Sequence, residues 1–292
     1  MVLVAALCSL PTRSPAAPPG TAPAPELRID FLDVGHGDAI LLTSPAGKTV
    51  LIDGGPAEAG ETVARFVRTR TGAPLDLVLL THRHADHLGG LAKVIERQGA
   101  RLFMDAPFPH PSPAYDGLIR LLEELKIPVR EAQAGRIIDI GGGARLVLLT
   151  PPLPRIVGSR SDANANSVVL RLELGRVRVL LTGDAEAVTE SWLLDSRADL
   201  RADVLKLAHH GSRYSSTPRF LHAVAPQVVI ASSGPITAVG HIHPDTVARI
   251  EQLGARLYRT DRDGNITVRT DGQHLTVETQ GARSIRAMEA RR

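Results

Sequence analysis

Four side chains of the types that bind metal ions lie within six positions of the sequence, in the stretch THRHADHLGG: His82, His84, Asp86 and His87. They follow LDLVLLT, a short aliphatic run that is typical of a buried strand. Because His82 and His84 are two residues apart, an extended chain points both side chains the same way. Imidazole and carboxylate groups suit zinc or manganese. The pattern H-x-H-x-D-H therefore offers two pairs of ligands to two adjacent divalent ions.

Each of these residues also has an ordinary structural interpretation. A single histidine is usually a polar or half-buried residue, and an aspartate before a helix is usually only its N-cap. We expect Asp86 to be the N-cap of a helix that begins at His87, with its carboxylate also projecting outward. Three histidines and an aspartate between an aliphatic strand and a Gly-Gly pair favour the metal site over the structural alternative.

The elements that position this cluster occur twice in the sequence. In the first half a predicted hairpin, DAILLTSPAGKTVLIDGG, has Asp53 at its end and is followed by a helix and by LDLVLLT. In the second half the hairpin SVVLRLELGRVRVLLTGD ends in Asp184, and after a helix the strand ADVLKLAHHGS ends in His209 and His210. Strands that alternate with helices bury both faces of a sheet and carry functional loops at their ends. The sequence therefore predicts two similar β/α halves packed together.

A two-metal site needs more than four ligands, and the repeated pattern indicates which residues supply them. Asp184 is in position to bridge both ions, and His210 to complete the second one. Taken alone, a Gly-Asp pair commonly just ends a hairpin. In register with the first half, Asp184 becomes a predicted ligand.

The composition is that of a folded protein with one large layered α/β domain. Of the 292 residues, 43% are hydrophobic and 22% are charged, which provides ample material for a core. Cys8 is the only cysteine, so a disulfide framework and a thiolate-based metal site are excluded. The net charge of +3 equals that of residues 281–292, which contain four arginines and one glutamate. The remaining chain is neutral overall, so the net charge does not indicate nucleic-acid binding.

Three regions are predicted along the chain. Residues 1–26 combine the apolar segment MVLVAALCSL with a Pro/Ala-rich linker, and we expect an export signal there; a disordered end is the alternative. The apolar segment is shorter than the roughly 20 residues of a membrane-spanning helix. Residues 27–280 form the predicted α/β domain, and residues 281–292 a basic, solvated C-terminal tail. An exported protein is thus predicted, with the cytoplasm as the alternative location.

The segments LIDGG, THRHADHLGG, LLTGDAE, LKLAHHGS and HIHP, in this order, resemble the metallo-β-lactamase superfamily of metallohydrolases. FLDVGHGDAILL, HHGS and TDRDGNI are similar to the branch that contains the hydrolase domain of ComEC-type competence proteins, and to the phosphorylcholine esterases of that branch. The resemblance spans Leu27 to Val277. It implies an α/β fold of four layers, αββα, for the hydrolase domain at 27–280.

The resemblance also implies a role for each residue of the motifs. The expected ligands are His82 and His84 for the first ion, Asp86, His87 and His210 for the second, and Asp184 between the two. Asp53 is expected to orient a ligand or a bound water, and His209 to contact a substrate phosphate or to support the ligands. The superfamily usually has a further first-ion histidine before the second hairpin, where this chain has Asn164 and Asn166. We take Asn166 as the expected ligand there. His36 stands where the ComEC-like branch often has glutamine.

The predicted function is that of a metal-dependent phosphodiesterase, and more specifically of a nuclease acting on DNA or RNA. Two divalent ions, Zn²⁺ or Mn²⁺, lower the pKa of a shared water to roughly 7 and so supply hydroxide as the nucleophile. We expect Asp53, Asp86 and His209 to be catalytic. Hydrogen-bond donors near the ligands give the predicted substrate contacts, which are His209, Ser212, Arg213, Tyr214, Ser215, His241 and His243. For His241 and His243, helix capping or a surface position is the alternative.

Two other functions remain open at this point. The same pair of ions serves a hydrolase of a phosphocholine ester, a lactone, a thioester or a β-lactam, because the residues that select the substrate lie in cleft walls that the motifs do not reveal. The asparagines at the position of the missing histidine motivate the other alternative, a non-catalytic binding protein on a hydrolase scaffold.

Overall fold

The computed structural model describes residues 25–106, 108–234 and 242–289, the last eight by their backbone alone. The described strands, in chain order, are β1 (Leu27–Phe31), β2 (Ile40–Thr43), β3 (Thr49–Ile52), β4 (Leu77–Leu80), β5 (Phe103–Asp105), β6 (Val129–Glu131), β7 (Ile137–Gly141), β8 (Ala144–Leu148), β9 (Leu170–Leu174), β10 (Val177–Leu181), β11 (Val204–Lys206), β12 (Val228–Ala231), β13 (Arg256–Arg259), β14 (Ile266–Thr270), β15 (His274–Thr279) and β16 (Ala282–Glu289).

The helices of the described residues connect these strands. They are α1 (Gly60–Arg68), α2 (Ala85–Leu88), α3 (Leu91–Gln98), α4 (Pro113–Glu124), α5 (Asp162–Ala165), α6 (Ala187–Asp195), α7 (Pro218–Val224), α8 (Pro244–Leu253) and α9 (Thr260–Asp263). Short 3₁₀ turns lie at Ala57–Ala59 and Ala208–Gly211. Among the described residues, no helix has both the length and the apolar composition that crossing a membrane requires.

The described strands form two sheets, and each sheet contains the same pattern. The first has the order β16-β15-β14-β1-β2-β3-β4-β5-β6 and the second the order β13-β12-β11-β10-β9-β8-β7. In the first sheet the antiparallel hairpin β2–β3 is followed by the parallel strands β4, β5 and β6. In the second sheet the antiparallel hairpin β9–β10 is followed by the parallel strands β11, β12 and β13. The predicted duplication of a β/α half is therefore confirmed.

Side chains that alternate along the strands build the core between the two sheets. In β2, Ile40 and Leu42 pack in this central cluster, whereas Leu41 between them packs on the opposite face of the sheet. In β10, Val179 faces the central cluster and Leu180 faces outward. Both faces of each sheet are apolar because successive side chains of a strand point to opposite faces and both faces are covered.

Helices cover the two outer faces. The helices α1, α3 and α4 contribute Val63, Leu91 and Leu118 to the cluster on the outer face of the first sheet. The helices α6 and α7 contribute Leu193 and Phe220 to the corresponding cluster on the second sheet. The arrangement is the four-layer αββα fold that the family resemblance implies.

The end of the chain differs from its prediction. Residues 281–292 were expected to be a solvated tail, but β16 pairs with β15 through a two-residue turn, with Thr279 opposite Ala282. For residues 281–289 the predicted boundary at 280 is therefore wrong, and residues 290–292 lie outside the described residues. A charged composition suits an edge strand as well as a tail, because one side of such a strand stays open to water. The predicted export signal falls almost entirely on residues 1–24, outside the described residues, and stays a prediction.

Candidate metal centre

The functional residues follow the ends of paired parallel strands in both sheets. Asp53 comes directly after β3, and the His82 segment comes after the neighbouring strand β4. Asp184 and His210 follow β10 and β11, which are also parallel neighbours. Because the carboxyl ends of parallel strands lie at one edge of a sheet, each half delivers its polar residues together. The two edges meet, and His87 Nε2 of the first half lies 3.2 Å from Asp184 Oδ1 of the second.

Asp184 lies between two groups of ligand-type atoms and presents one oxygen to each. Its Oδ1 lies 3.2 Å from His87 Nε2 and 3.5 Å from His210 Nε2. Its Oδ2 lies 3.8 Å from His82 Nε2 and 3.7 Å from His209 Nε2. The side chain is only 2% exposed, so bulk water has little access to it. Each carboxylate oxygen of Asp184 therefore faces a different pair of histidines.

The two groups share Asp184 and are otherwise separate. Ligand atoms of Asp86, His87, Asp184 and His210 lie within 4.8 Å of one another, and so do those of His82, His84 and Asp184. In the second group His82 Nε2 and His84 Nδ1 are 3.1 Å apart, as expected for side chains that point the same way. The structure thus brings together six of the seven residues that the sequence analysis assigns to the metal ions.

Two of the histidines are oriented by partners outside the groups. His87 Nδ1 lies 2.8 Å from Asp53 Oδ2, and His210 Nδ1 lies 2.9 Å from the carbonyl oxygen of Ser232. Each contact is satisfied by a proton on Nδ1, which leaves a lone pair on Nε2. The two Nε2 atoms face each other at 3.3 Å, close to the carboxylates of Asp86 and Asp184. A set of acceptors that converges in this way fits a divalent cation.

Asp53 is held in place by the strand beside it. Its Oδ1 accepts a hydrogen bond of 2.7 Å from the Thr81 amide, and its Oδ2 accepts one of 2.8 Å from the Thr81 hydroxyl. The carboxylate is completely buried, and burial raises its pKa against the opposing effect of His87. Asp53 therefore lies where it orients an imidazole ring.

Charges within the cluster shift the pKa values of its members strongly. Burial would lower the pKa of His87, but Asp184 and Asp53 outweigh it and raise that pKa well above its usual value. Burial would raise the pKa of Asp184, but His210 and His87 hold it well below its usual value. Burial prevails at His82 and lowers its pKa. A cation that binds to His87 and Asp184 must displace a proton, so its affinity falls as the pH falls.

The backbone at three of these residues has a left-handed conformation. The φ angles are +59° at Asp53, +49° at His209 and +52° at His210. This region costs free energy for residues other than glycine and is therefore found mostly where the surrounding structure enforces it. The sharp turn after β11 lets two consecutive histidines contact opposite sides of Asp184.

The segment around Asp86 differs from its prediction. The helix α2 begins at Ala85, with His84 at its N-cap and no capping hydrogen bond from a side chain, so Asp86 lies inside the first turn. The N-cap prediction is wrong, because the backbone enters the helix two residues earlier than the spacing suggested. The Asp86 carboxylate is consequently free to lie 3.3 Å from His210 Nε2 and 3.2 Å from His36 Nε2.

Glycines let this segment approach the loop after β3. A Cβ atom on Gly90 would lie 2.0 Å from the carbonyl oxygen of Gly54, and one on Gly37 would lie 2.1 Å from that of Asp86. Real Cβ atoms do not come so close, so the Gly-Gly pair of the motif is required for backbone contact and not only for a turn.

The asparagine predicted as a first-ion ligand is not at the cluster. Asn166 Nδ2 donates to the carbonyls of Ile156 and Asp162, and its Oδ1 accepts from the Ile156 amide. The amide group is fully used in holding the loop before β9, so this assignment is corrected. Asn164 lies closer, with Nδ2 3.5 Å from His209 Nδ1.

A buried ion pair beneath the cluster was missed by the sequence analysis. Lys206 is completely buried, and its Nζ contacts Asp38 Oδ2 and lies 3.3 Å from the Gly183 carbonyl oxygen. Asp38 Oδ1 in turn lies 3.7 Å from His210 Nδ1. The signal in the sequence was a lysine inside the aliphatic strand ADVLKL, because a lysine is almost never fully buried without a partner.

The predicted substrate contacts divide into several kinds. His209 is 22% exposed and lies between Asp184 and Glu186, with Nδ1 3.2 Å from Glu186 Oε1. Arg213 and Tyr214 are exposed next to the cluster. Of the two predicted serines, Ser212 Oγ accepts a hydrogen bond from the Tyr214 amide, and Ser215 is buried, with no hydrogen-bond partner for its hydroxyl among the described residues.

Of the two late histidines, His243 lies within the described residues and does not join this group. His243 is the N-cap of α8, and its side chain accepts a hydrogen bond from the Asp245 amide. His243 therefore caps a helix, which was the alternative interpretation of this residue. His241 lies outside the described residues. His110, which the sequence analysis did not select, packs edge-on against His84 with ring centroids 5.0 Å apart.

The family model of the metallo-β-lactamase superfamily matches residues 32–234. The chain belongs to this superfamily. It is similar to ComE operon protein 3 of Bacillus subtilis, with 28% identity over 84% of this chain and 33% of that protein. It is also similar to the competence protein ComA of Neisseria gonorrhoeae, with 28% identity over 84% of this chain and 33% of that protein. The chain thus spans about a third of the length of the curated relatives that it matches.

Two further similarities concern parts of the molecule or its fold. A ribonuclease Z of Bradyrhizobium diazoefficiens is 37% identical over 112 residues, which is 35% of this chain and 36% of that protein. A solved metallo hydrolase from the archaeon Ignicoccus hospitalis has a TM-score of 0.54 at 17% identity, covering 82% of this chain and 98% of that one. The structural similarity establishes the fold. Family membership and the His/Asp cluster together support a metal-dependent hydrolase.

Proposed function

We propose that this chain is a metal-dependent phosphodiesterase that cleaves nucleic acid, with two divalent ions, Zn²⁺ or Mn²⁺, at the candidate metal centre. One observation carries the proposal: Asp184 presents Oδ1 to one group of ligand atoms and Oδ2 to the other. His82 and His84 would hold the first ion. Asp86, His87 and His210 would hold the second.

The chemistry of the site suits a phosphodiester. Bound divalent ions would neutralise the charge of the phosphate and lower the pKa of a water molecule, so that a nucleophile forms at neutral pH. Asp53 holds the ring of His87 in position through Nδ1, and the carbonyl of Ser232 does the same for His210. His209, half-buried beside Asp184, would contact a phosphate oxygen from Nε2.

The relatives support nucleic acid as the substrate class. One partial relative is named as a ribonuclease, and another, which matches most of this chain, is named as a competence protein. Arg160 and Arg213 add two exposed cations on the side of His209. Guanidinium groups pair well with phosphates because they donate two parallel hydrogen bonds.

The test measures cleavage and bound metal on the same preparations. Purified protein, loaded with manganese or zinc, is assayed with bis-p-nitrophenyl phosphate and with single-stranded and double-stranded DNA and RNA. We expect cleavage that EDTA abolishes, two bound ions per chain, and a loss of both in Asp184→Asn. The matched control is Asp195→Asn, because Asp195 is exposed and pairs with Arg219 on the protein surface.

Other outcomes distinguish the alternatives. Metal-loaded protein that cleaves no phosphodiester contradicts the proposal. Faster turnover of a lactone, a thioester, a β-lactam or a phosphocholine ester would replace nucleic acid with that substrate class. A chain that binds less than one ion and cleaves nothing would be a binding protein on this scaffold.

A further inference from the structure

A cavity of about 430 Å³ lies beside the candidate metal centre, on the side of His209. Its walls come from four separate segments: the loop before α5, the start of α6, the loop before α7, and Arg249 of α8. The volume lies within the range of pockets that hold small organic ligands, which is about 300–1,000 Å³. We call it the Tyr214 cavity, after the aromatic ring in its wall.

The lining combines an aromatic ring with cationic groups. Tyr214 is 46% exposed, and the guanidinium carbon of Arg160 lies 4.0 Å from its ring centroid. The guanidinium carbon of Arg213 lies 5.6 Å from the same ring. Arg249 contributes a third guanidinium group to the wall, while Glu186 is the one carboxylate among the described residues that line the cavity. An exposed ring beside arginines is the combination that binds a nucleobase by stacking and its phosphate by charge.

A short series of contacts connects this cavity to the metal centre. Arg160 Nη2 lies 2.9 Å from Glu186 Oε1, which lies 3.2 Å from His209 Nδ1. On the other side of the ring, His209 Nε2 lies 3.7 Å from Asp184 Oδ2. One carboxylate and one imidazole ring therefore separate the cavity from the bridging aspartate. A ligand in the cavity would therefore lie next to a phosphate bound at the metal centre.

The wall that carries Tyr214 is held from behind by a buried carboxylate. Glu190 is 1% exposed and accepts hydrogen bonds from the amides of Ser216 and Thr217, the latter at 2.9 Å. The Tyr214 carbonyl accepts a bond of 3.0 Å from the Ala187 amide. Because these bonds fix the loop on both sides of the ring, the cavity is preorganised rather than formed on binding.

We propose that the Tyr214 cavity binds the base of the nucleotide adjacent to the cleaved phosphodiester, with Tyr214 as the stacking platform and Arg160 and Arg213 as contacts to the next phosphate. This inference rests on the proposed function, since it places the neighbour of the scissile phosphate. Three guanidinium groups repel a quaternary ammonium, so the cavity disfavours a choline headgroup as occupant.

The experiment measures binding separately from cleavage. Fluorescein-labelled oligothymidylate and oligouridylate of about 12 nucleotides, and an abasic strand of equal length, are titrated into the EDTA-treated protein at constant salt. The quantity of interest is the ratio of the Kd of the abasic strand to that of the strand with bases. For Tyr214→Ala we expect this ratio to fall about 5- to 100-fold, because stacking on one ring is lost. Tyr214→Phe keeps the aromatic ring and should therefore retain the wild-type ratio.

Arg219→Gln is the control for charge near the cavity, because Arg219 is 71% exposed and pairs with Asp195. It should leave the ratio as in wild type, whereas Arg160→Gln should weaken binding of the strands with bases and of the abasic strand alike. Melting temperature and metal content of each variant show that the fold is retained.

Several results would overturn the base-binding role. These are a wild-type ratio near one, an equal ratio in wild type and Tyr214→Ala, and competition by phosphocholine in place of a mononucleotide. Protein that prefers strands with bases but cleaves no phosphodiester contradicts the proposed function alone, because the binding ratio does not depend on turnover.

Discussion

The buried carboxyl group of Glu190 makes the unfolding free energy of this protein depend on pH. The carboxyl group is 1% exposed at the start of α6, and burial raises its pKa from 4.5 to about 7, although the amides of Ser216 and Thr217 oppose the shift. A carboxyl whose pKa is higher in the folded than in the unfolded state keeps its proton on folding. The stability that this proton provides is fully present below about pH 4.5 and is lost as the pH rises through about 7.

The magnitude follows from the size of the shift. A pKa difference of about 2.5 units corresponds to about 3 kcal/mol of unfolding free energy, of which about 2.5 kcal/mol is lost between about pH 5 and about pH 8. In Glu190→Gln the side chain does not titrate, so this contribution to the pH dependence of the unfolding free energy is absent. The variant also loses an acceptor for one of the two amides, which lowers its stability by about 1 kcal/mol at every pH.

The assay is urea denaturation of wild type and variant at several pH values in EDTA, so that metal binding does not contribute. Between about pH 5 and about pH 8, the unfolding free energy of the wild type should fall by about 2.5 kcal/mol relative to that of Glu190→Gln. Glu124→Gln is the control, because Glu124 is exposed on α4. Parallel pH profiles for wild type and Glu190→Gln would refute the reasoning, since they would show that Glu190 titrates alike in the folded and unfolded states.

Three further predictions concern the support of the metal centre. Lys206→Met leaves the Asp38 carboxylate buried without its cation and should lower the unfolding free energy by about 3–5 kcal/mol. Adding Asp38→Asn should restore part of this stability. A double variant that recovers no stability would contradict the pairing. Gly90→Ala should lower the unfolding free energy by about 1–3 kcal/mol and weaken metal binding, because its Cβ atom collides with a backbone carbonyl. Gly72→Ala is the control, because a Cβ atom at that position meets nothing within 4 Å. Equal melting temperatures of the two variants would contradict this prediction. Asp53→Asn should weaken metal affinity about 10- to 100-fold in a chelator competition, and an unchanged affinity would show that Asp53 orients no ligand.

Patterns of near neighbours made much of the fold predictable. Short apolar runs joined by turn residues identified the strands of both hairpins, because such runs are typical of buried strands. The repeated order of hairpin, helix and strand predicted two similar halves. The His82 segment was recognisable since its four ligand-type residues lie within one short stretch. Each of these signals depends on residues that are close in the sequence.

The failures share a physical cause. The start of α2 depends on the loop that approaches it through Gly37, and the amide of Asn166 is taken up by Ile156 ten residues earlier. Arg160 reaches the Tyr214 ring from a loop more than fifty residues away. None of these contacts leaves a pattern in the local sequence, because they arise only when distant segments pack.

The amino-acid sequence by itself determined the chemical types of the ligands, the strands that carry them and the duplication that pairs Asp53 with Asp184. Only the tertiary structure decided that the oxygens of Asp184 face different histidine groups, that Lys206 neutralises Asp38 beneath them, and that a cationic aromatic cavity adjoins the site. The division has a simple reason. The type and position of a residue are local properties of the chain, whereas the distance between two charges depends on how two sheets pack against each other.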